Sequence, residues 1–179
     1  MIAHHPAVFL DRDGTLMEEV HYCNDPAKVR ILEGVREGLL RLQQAGFRNI
    51  IVTNQSGIAR GVISLAQYEA VQARLFELLG HHLIDATYFC AEGPDNPSPR
   101  RKPGPGMLWE ARDAHALDLT RSWLIGDKTS DIQSGLAAGV RSILVHTGYG
   151  ATEPPDAACH VAKDFACAVD FILNHRDGR

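Results

Sequence analysis

The sequence lacks the features that mark membrane, secreted and nucleic-acid-binding proteins. No apolar run approaches the roughly 20 residues that a membrane-spanning helix needs. The start, MIAHHPAVFLDRDG, has no basic region followed by a long apolar segment, so we expect no signal peptide and a cytoplasmic location. The net charge of -4 gives no basic surplus for nucleic acid or an anionic membrane. An anionic ligand would therefore need a local cluster of positive groups.

Cysteine is also scarce. None of the four cysteines forms a Cys-x-x-Cys pair, and a disulfide framework is not expected in a chain with this much core. With 45% hydrophobic and 22% charged residues, the composition is typical of a soluble globular protein. The length predicts one domain over residues 1–179, and a compact single domain needs no partner, so we expect a monomer.

Short apolar runs alternate with amphipathic segments along the chain. The runs continuous enough to be strands buried on both faces are residues 7–10, 49–52, 86–89, 122–125 and 141–145. The segments between them have apolar residues at helical spacing, and Ser64 with Gln67 forms a capping box at the start of one helix. This alternation predicts an α/β fold, a doubly wound three-layer sandwich with a mainly parallel central sheet.

Polar clusters follow the predicted strands. Ligands bind at the carboxyl ends of parallel strands, so we expect the clusters to converge on one rim of the sheet. The clusters are Asp11-Arg12-Asp13 after the first strand, Thr53-Asn54-Gln55-Ser56 after the second, Gly126-Asp127-Lys128 after the fourth, and Arg101-Lys102 before the third main helix.

Asp11 and Asp13 place two like charges at the end of a buried strand. Repulsion and desolvation oppose this arrangement unless a cation lies between the carboxylates. With Asp127 as a third oxygen donor, the set suits Mg²⁺, which keeps several waters and is completed by a phosphate. The pattern therefore predicts a metal-dependent phosphate site.

The neighbouring residues fit phosphoryl transfer. Asp11 can supply the nucleophile and form an aspartyl-phosphate, while Asp13 can protonate the leaving oxygen and later deprotonate water. Thr53 offers a hydroxyl and backbone N–H groups, and Lys102 offers a positive charge for the transferring phosphoryl group. Arg101 offers a bidentate fork suited to a second phosphate or a substrate oxygen.

The motifs DRDGT, TNQSGIARG, RKPGPGM and GDKTSD, in this order, resemble those of the haloacid dehalogenase superfamily of phosphohydrolases. Within it, the first three motifs are similar to a group of phosphatases that act on heptose 1,7-bisphosphate or histidinol phosphate. The resemblance implies removal of the 7-phosphate of D-glycero-D-manno-heptose 1,7-bisphosphate, in ADP-heptose and lipopolysaccharide core biosynthesis. The alternatives are the same chemistry on histidinol phosphate, or a non-catalytic phosphate-binding domain.

The resemblance also implies roles by position. Asp11 would be the nucleophile and Asp13 the general acid/base, and Mg²⁺ would be held by Asp11, the backbone carbonyl of Asp13 and Asp127. Thr53 and Lys102 would stabilise the transferring phosphoryl group. The residues implied to surround the substrate are Glu19, Val20, His21, Tyr22, Asn54, Gln55, Ser56, Arg101 and Lys128.

Two side chains keep more than one interpretation. Asp131 is either an acid that favours the dipole at a helix N-terminus or a group beside the metal. Lys128 is either a substrate contact or a structural counter-ion of Asp11.

The sequence departs from the group in the loop before Arg101. Many members carry a zinc site there, with a Cys-x-His pair and a later Cys-x-Cys. Only Cys90 is kept here, and one thiolate cannot build a four-ligand site, so we predict no structural zinc and a loop stiffened by prolines. No insertion between the motifs is long enough for a large cap domain. The expected partner is a small phosphorylated sugar, with no nucleic acid and no membrane.

Overall fold

The computed structural model describes residues 4–95, 97–154 and 160–175. Its strands are β1 (Ala7–Leu10), β2 (Arg48–Asn54), β3 (Ala86–Cys90), β4 (Trp123–Gly126), β5 (Arg141–Val145) and β6 (His160–Ala162). They form one six-stranded sheet in the order β3-β2-β1-β4-β5-β6. Every neighbouring pair is parallel.

The helices are α1 (Val35–Gln44), α2 (Leu65–Leu79), α3 (Gly106–His115), α4 (Thr129–Ala138) and α5 (Phe165–Asn174). The predicted capping box begins α2, where the Ser64 hydroxyl accepts from the Gln67 N–H at 3.1 Å and the Gln67 side chain accepts from the Ser64 N–H at 2.8 Å. Helix α4 ends at Gly139, which is left-handed with φ 75°.

The two faces of the sheet carry separate apolar cores because side chains alternate along each strand. Val8 and Leu10 of β1 belong to a core shared with α1, α2 and α5. Ala7 and Phe9 point to the other face and pack with residues of α3, and α4 lies on that side. The molecule is therefore the predicted three-layer α/β sandwich.

The connections between these elements contain little regular secondary structure. Those in the described ranges contain two 3-10 helices, Pro26–Lys28 and Leu119–Arg121, and no large cap domain, as predicted. Of the helices in these ranges, none is long and apolar enough to span a membrane. The predicted strands coincide with β1–β5 to within about two residues. Strand β6 and helix α5 were not predicted.

The order of the strands positions the site. Strand β1 lies in the sheet between β2 and β4, so the segments that follow these three parallel strands leave the same edge side by side. A hydrogen bond from the Asp11 N–H to the Ile125 carbonyl, at 3.0 Å, ties the end of β1 to β4. The predicted convergence of the polar clusters follows from this order.

Candidate active site

Three buried carboxylates meet at the carboxyl edge of the sheet. Asp11 follows β1, Asp127 follows β4, and Asp131 lies in the first turn of α4. One oxygen of each lies within 4.8 Å of the others. The adjacency of β1 and β4 produces this group, because each strand delivers its carboxylate at the same edge.

Lys102 places a buried ammonium against two of these carboxylates. Its Nζ donates to Asp11 Oδ1 at 2.7 Å and to the Val52 carbonyl at 2.8 Å, and it lies 2.5 Å from Asp131 Oδ1. Asn54, at the end of β2, fixes the backbone of Lys102 by donating to its carbonyl at 2.9 Å and accepting from its N–H at 3.1 Å. The loop before α3 is thereby anchored to the end of β2.

Burial and charge pull the pKa values of the three acids in different directions. Burial alone would raise the pKa of Asp11, but the Lys102 and Lys128 ammoniums outweigh it, and the pKa is lowered. Burial, together with the charges of Asp11 and Asp131, raises the pKa of Asp127 to about 8. Burial also raises the pKa of Asp131 to about 6, against the effect of Lys102. Without a further cation, Asp127 therefore holds a proton at neutral pH.

The carboxylate group fits a divalent cation. Asp127 Oδ2 accepts from the Tyr149 N–H at 2.8 Å, whereas its buried Oδ1 has no hydrogen-bond partner within the described ranges. Both oxygens of Asp131 have partners, since Oδ1 contacts Lys102 and Oδ2 accepts from the Lys128 N–H at 3.0 Å. A buried unpaired oxygen beside another carboxylate is what a hard cation such as Mg²⁺ would bind. Asp131 therefore accepts a hydrogen bond in the first turn of α4 and also belongs to the group of three carboxylates, and its role beside a metal stays a prediction.

Two glycines pack directly on Asp127. A Cβ built at Gly14 or at Gly148 would lie 2.2 Å from Asp127 Oδ2, and both residues have positive φ, +80° and +56°. The backbone therefore encloses the carboxylate at positions where a side chain would displace it.

Asp13 lies outside the group of three and is held by other residues. Its carboxylate accepts two bonds from the Arg12 guanidinium, each at 3.0 Å, and one from Gln55 Nε2 at 2.9 Å. The same Gln55 amide donates to Thr53 Oγ1 at 2.9 Å. The predicted acid/base and the predicted phosphoryl-binding hydroxyl are thus connected through one side chain.

A small inner pocket of about 30 Å³ lies beside a cleft of about 300 Å³, and the two share the lining residues Asp13, Asn54 and Lys128. Asp11, Thr53 and Lys102 line the inner pocket, whereas Asp13 and Lys128 line both spaces. The cleft brings together all but one of the residues predicted to surround the substrate, namely Glu19, Val20, His21, Tyr22, Asn54, Gln55, Ser56 and Lys128. The structure therefore provides a deep polar pocket with an outer space of the size of a small molecule.

Arg101 is the predicted substrate residue that does not line the cleft. It lines an adjacent groove, together with Ser56 and Lys128. Its guanidinium donates to the Glu92 carbonyl at 2.8 Å, and the Glu92 carboxylate accepts from the Ser98 N–H at 2.8 Å. Glu92 thus holds the loop in two ways: its carboxylate binds the Ser98 N–H and its carbonyl binds the Arg101 side chain.

The expectation of no structural zinc stays a prediction. In the part of the chain that the structure describes, the aspartate group is the single cluster of three or more metal-type side chains, and Cys90 does not belong to it.

Some residues of the site were not predicted from the sequence. Tyr149 and Glu153 line the cleft from the loop after β5, and the Tyr149 ring lies 4.6 Å from Lys128 Nζ. The Lys128 ammonium also lies 3.6 Å from Glu19 Oε2. Against the effect of burial, the charges of Asp11, Asp127 and Glu19 raise its pKa, so both interpretations of Lys128 stay predictions. Arg12 lies between the two aspartates at the end of a buried strand, and a cation in that position is the signal that could have identified it.

Comparisons with known proteins agree with this fold. A family model described as HAD-hydrolase-like matches residues 99–168. The solved structure of D,D-heptose 1,7-bisphosphate phosphatase from B. bronchiseptica, complexed with magnesium and phosphate, has a TM-score of 0.86 at 30% identity and covers 95% of this chain and 99% of that one. The fold is that of a HAD-like hydrolase.

Curated relatives identify the family within the HAD-like hydrolases. D-glycero-D-manno-heptose-1,7-bisphosphate 7-phosphatase from Thermosynechococcus vestitus is 38% identical over 196 residues, which covers 95% of this chain and 96% of the relative. The corresponding Escherichia coli K12 enzyme is 37% identical over 179 residues, with 94% and 88% covered. The chain belongs to the family of D-glycero-D-manno-heptose-1,7-bisphosphate 7-phosphatases, and the resemblance seen in the sequence is confirmed.

Proposed function

We propose that the protein removes the 7-phosphate of D-glycero-D-manno-heptose 1,7-bisphosphate in a Mg²⁺-dependent reaction. The observation that carries the proposal is the buried group of Asp11, Asp127 and Asp131 beside Lys102, in a chain whose relatives are named for this activity. A solved relative of the same fold holds magnesium and phosphate, the two species that this polar pocket suits. The side-chain roles below are part of the proposal.

Asp11 is the nucleophile. Its lowered pKa keeps the carboxylate ionised, and Lys102 holds one of its oxygens in place. The carboxylate attacks phosphorus and the bond from phosphorus to the substrate oxygen breaks, which leaves an aspartyl-phosphate. Lys102 and the Thr53 hydroxyl supply positive charge and a hydrogen bond to the equatorial oxygens.

Asp13 transfers the protons of both steps. It lines both the inner pocket and the cleft, so the leaving oxygen of a sugar in the cleft would lie near its carboxyl group. In the first step it gives its proton to that oxygen. In the second it removes a proton from water, which attacks the aspartyl-phosphate, releases phosphate and restores Asp11.

Mg²⁺ would be held by Asp11, Asp127 and the backbone carbonyl of Asp13, next to Asp131. When bound, it offsets the charge of the carboxylates and of the phosphate that approaches them. Asp127 must lose its proton for this, and its unpaired Oδ1 is then available as a ligand atom.

Two positively charged side chains outside the inner pocket support a substrate with a second phosphate. Lys128 lines both the cleft and the groove that contains Arg101, so two cations border the path by which a phosphorylated sugar would extend outward. Arg101 would bind that phosphate through two parallel hydrogen bonds. An amine such as histidinol phosphate has no second phosphate to meet them.

The proposal includes the setting of the enzyme. We expect a cytoplasmic monomer formed by one domain over residues 1–179, which binds neither nucleic acid nor membranes. Its product would feed ADP-heptose synthesis for the lipopolysaccharide core.

The test is phosphate release from three substrates: heptose 1,7-bisphosphate, histidinol phosphate and an aryl phosphate. Each is measured with Mg²⁺ and with EDTA, and phosphorus NMR identifies which phosphate leaves the heptose. The proposal predicts Mg²⁺-dependent loss of the 7-phosphate with the highest kcat/KM for the bisphosphate. A preference for histidinol phosphate would replace the substrate assignment, and no turnover of any substrate would favour a phosphate-binding domain.

A further inference from the structure

Arg12 is a buried charge that the reaction scheme leaves without a role. Its residue exposure is 1%, and its Nε and Nη2 each donate to Asp13 at 3.0 Å. Nη2 also donates to Gln55 Oε1 at 3.2 Å. On its other side the guanidinium faces two residues of helix α2. Its Nη1 donates to Gln72 Oε1 at 3.5 Å, and its central carbon lies 5.4 Å from the centre of the Tyr68 ring. A buried guanidinium with these partners is fixed in orientation.

Gln55 lines the cleft, but its amide is occupied by other side chains. Its Nε2 donates to Asp13 Oδ2 and to Thr53 Oγ1, each at 2.9 Å, and its Oε1 accepts from Arg12. A carboxamide has two N–H donors, so neither is free for a substrate while these bonds persist. The donors of Gln55 are therefore taken up by Asp13 and Thr53, which leaves only the second lone pair of Oε1 for a substrate hydroxyl.

We propose that Arg12 and Gln55 are positioning residues that hold the Asp13 carboxyl group at the boundary between the inner pocket and the cleft. The inference rests on the proposed function, since the role of Asp13 as the acid/base belongs to it. Three N–H donors reach the two Asp13 oxygens, so rotation of the side chain would break several bonds at once. Proton transfer requires this precision, because a displacement of about 1 Å can cost roughly 10²-fold in rate.

The link to Thr53 extends the same inference. Gln55 holds the Thr53 hydroxyl and the Asp13 carboxylate with one amide group, so the distance between a phosphoryl-binding group and the proton-transfer group is fixed by a single side chain. Loss of Gln55 would therefore disturb the reacting geometry without removing any group that binds the sugar.

The test compares Gln55→Leu and Arg12→Lys with the wild type on two substrates, in Mg²⁺. With heptose 1,7-bisphosphate, the leaving alkoxide needs a proton, so we expect kcat to fall roughly 10-fold to 10²-fold and KM to change little. With 4-nitrophenyl phosphate, the leaving group departs without a proton. The first step should therefore keep its rate with this substrate, whereas the second step, in which Asp13 deprotonates water, should be slowed. Rapid mixing should show a burst of nitrophenolate larger than that of the wild type, followed by slow turnover.

Asn49→Ala is the matched control. Asn49 is a fully buried carboxamide on the same strand as Thr53, and it donates to the carbonyls of Leu39 and Leu83, away from the site. Its loss should lower the melting temperature without enlarging the burst of nitrophenolate. The Gln55 and Arg12 variants should show the larger burst, because hydrolysis of the shared aspartyl-phosphate is slowed, and a general loss of stability would not produce it.

Three results would overturn the inference. A rise in KM with kcat unchanged would make Gln55 a substrate contact. Equal losses on both substrates, with no larger burst, would make the network merely structural, as would wild-type kinetics in both variants. Failure of the proposed function is a separate result, because the wild type would then show no Mg²⁺-dependent release from heptose 1,7-bisphosphate.

Discussion

Lys102 determines the electrostatics of the inner pocket at the scale of a single residue. Its buried ammonium pairs with Asp11 and Asp131, whose side chains are also buried. Lys102→Met would leave both carboxylates without this partner, so we expect the free energy of unfolding to fall by about 3–5 kcal/mol, together with loss of turnover. Urea titration in EDTA measures the stability.

An exposed ion pair of the same length is the control for Lys102. Arg48 contacts Asp85 at 2.7 Å, but the Arg48 side chain is 50% exposed. We expect Arg48→Ala to cost less than about 1 kcal/mol. Similar losses for the two variants would contradict the view that burial makes the Lys102 pair important.

Replacement of Gly148 should disturb the aspartate group. A Cβ there would collide with Asp127 Oδ2, whereas a Cβ at Gly139, also at positive φ, would meet nothing within 4 Å. Gly139→Ala should lose about 1 kcal/mol of stability from the strained backbone, and Gly148→Ala should lose more, because its Cβ would also lie 2.7 Å from Gly14 Cα. Gly148→Ala should additionally weaken Mg²⁺ binding roughly tenfold or more, as measured by calorimetry. Equal Mg²⁺ affinity in the two variants would show that Asp127 tolerates the displacement.

At the scale of elements, the loop between β3 and α3 places Arg101. The Glu92 carboxylate closes this loop on the Ser98 N–H, and the Glu92 carbonyl holds the guanidinium. Glu92→Ala should release the loop and raise KM for the bisphosphate several-fold, with kcat little changed, because the Asp11 and Lys102 contacts do not involve Glu92.

Glu110→Ala provides the comparison for this loop. Glu110 pairs with Arg100 at 2.8 Å, next to Arg101 in the sequence, and both side chains are about two-fifths exposed. We expect wild-type kinetics from this variant. A KM effect of equal size in both variants would mean that the charge of the loop matters and not the position of Arg101.

The elements also explain how far the sequence predicts the fold. Strands β1 and β4 are short continuous apolar runs, and helices such as α2 begin with a recognisable cap, so both the elements and the parallel sheet could be predicted. Strand β6 has three residues, too few for a recognisable pattern. Helix α5, FACAVDFILN, buries Phe165, Ala168, Val169 and Ile172, which recur at helical spacing, so its pattern is present in the sequence and was missed.

The part of the site that lies in local sequence motifs could also be predicted. Asp11, Asp127 and Lys102 lie in local motifs at strand or helix ends, and topology alone brings them together. Tyr149 reaches Asp127 from a loop with no motif, across 22 positions of the chain, and no local pattern encodes that contact. The bonds of Gln55 depend in the same way on where neighbouring side chains point, which a sequence does not give.

At the scale of the whole molecule, the aspartate group couples stability to pH and to Mg²⁺. The pKa of Asp127 is raised from 3.8 to about 8, so between these values the folded apoprotein keeps a proton that the unfolded chain loses. The apoprotein should therefore lose stability as pH rises toward 8, and Asp131, with its pKa raised to about 6, adds to this at the lower end.

Thermal melts between about pH 5.5 and 8.5, in EDTA and in Mg²⁺, measure this coupling. Because Mg²⁺ binds the ionised carboxylates, its stabilising effect should grow with pH. Asp127→Asn should flatten the pH dependence in EDTA and remove most of the Mg²⁺ effect. Stabilisation by Mg²⁺ that is constant across this range would contradict the raised pKa of Asp127.

The most direct test of the central claim is phosphate release from heptose 1,7-bisphosphate by the wild type and by Asp11→Asn, each with Mg²⁺ and with EDTA. The account predicts rapid release only from the wild type with Mg²⁺. It also predicts that Asp11→Asn still binds the substrate, because Lys102, Thr53 and Arg101 remain. Release by Asp11→Asn at a rate near that of the wild type, or equal release in EDTA, would contradict a Mg²⁺-dependent phosphatase whose nucleophile is Asp11.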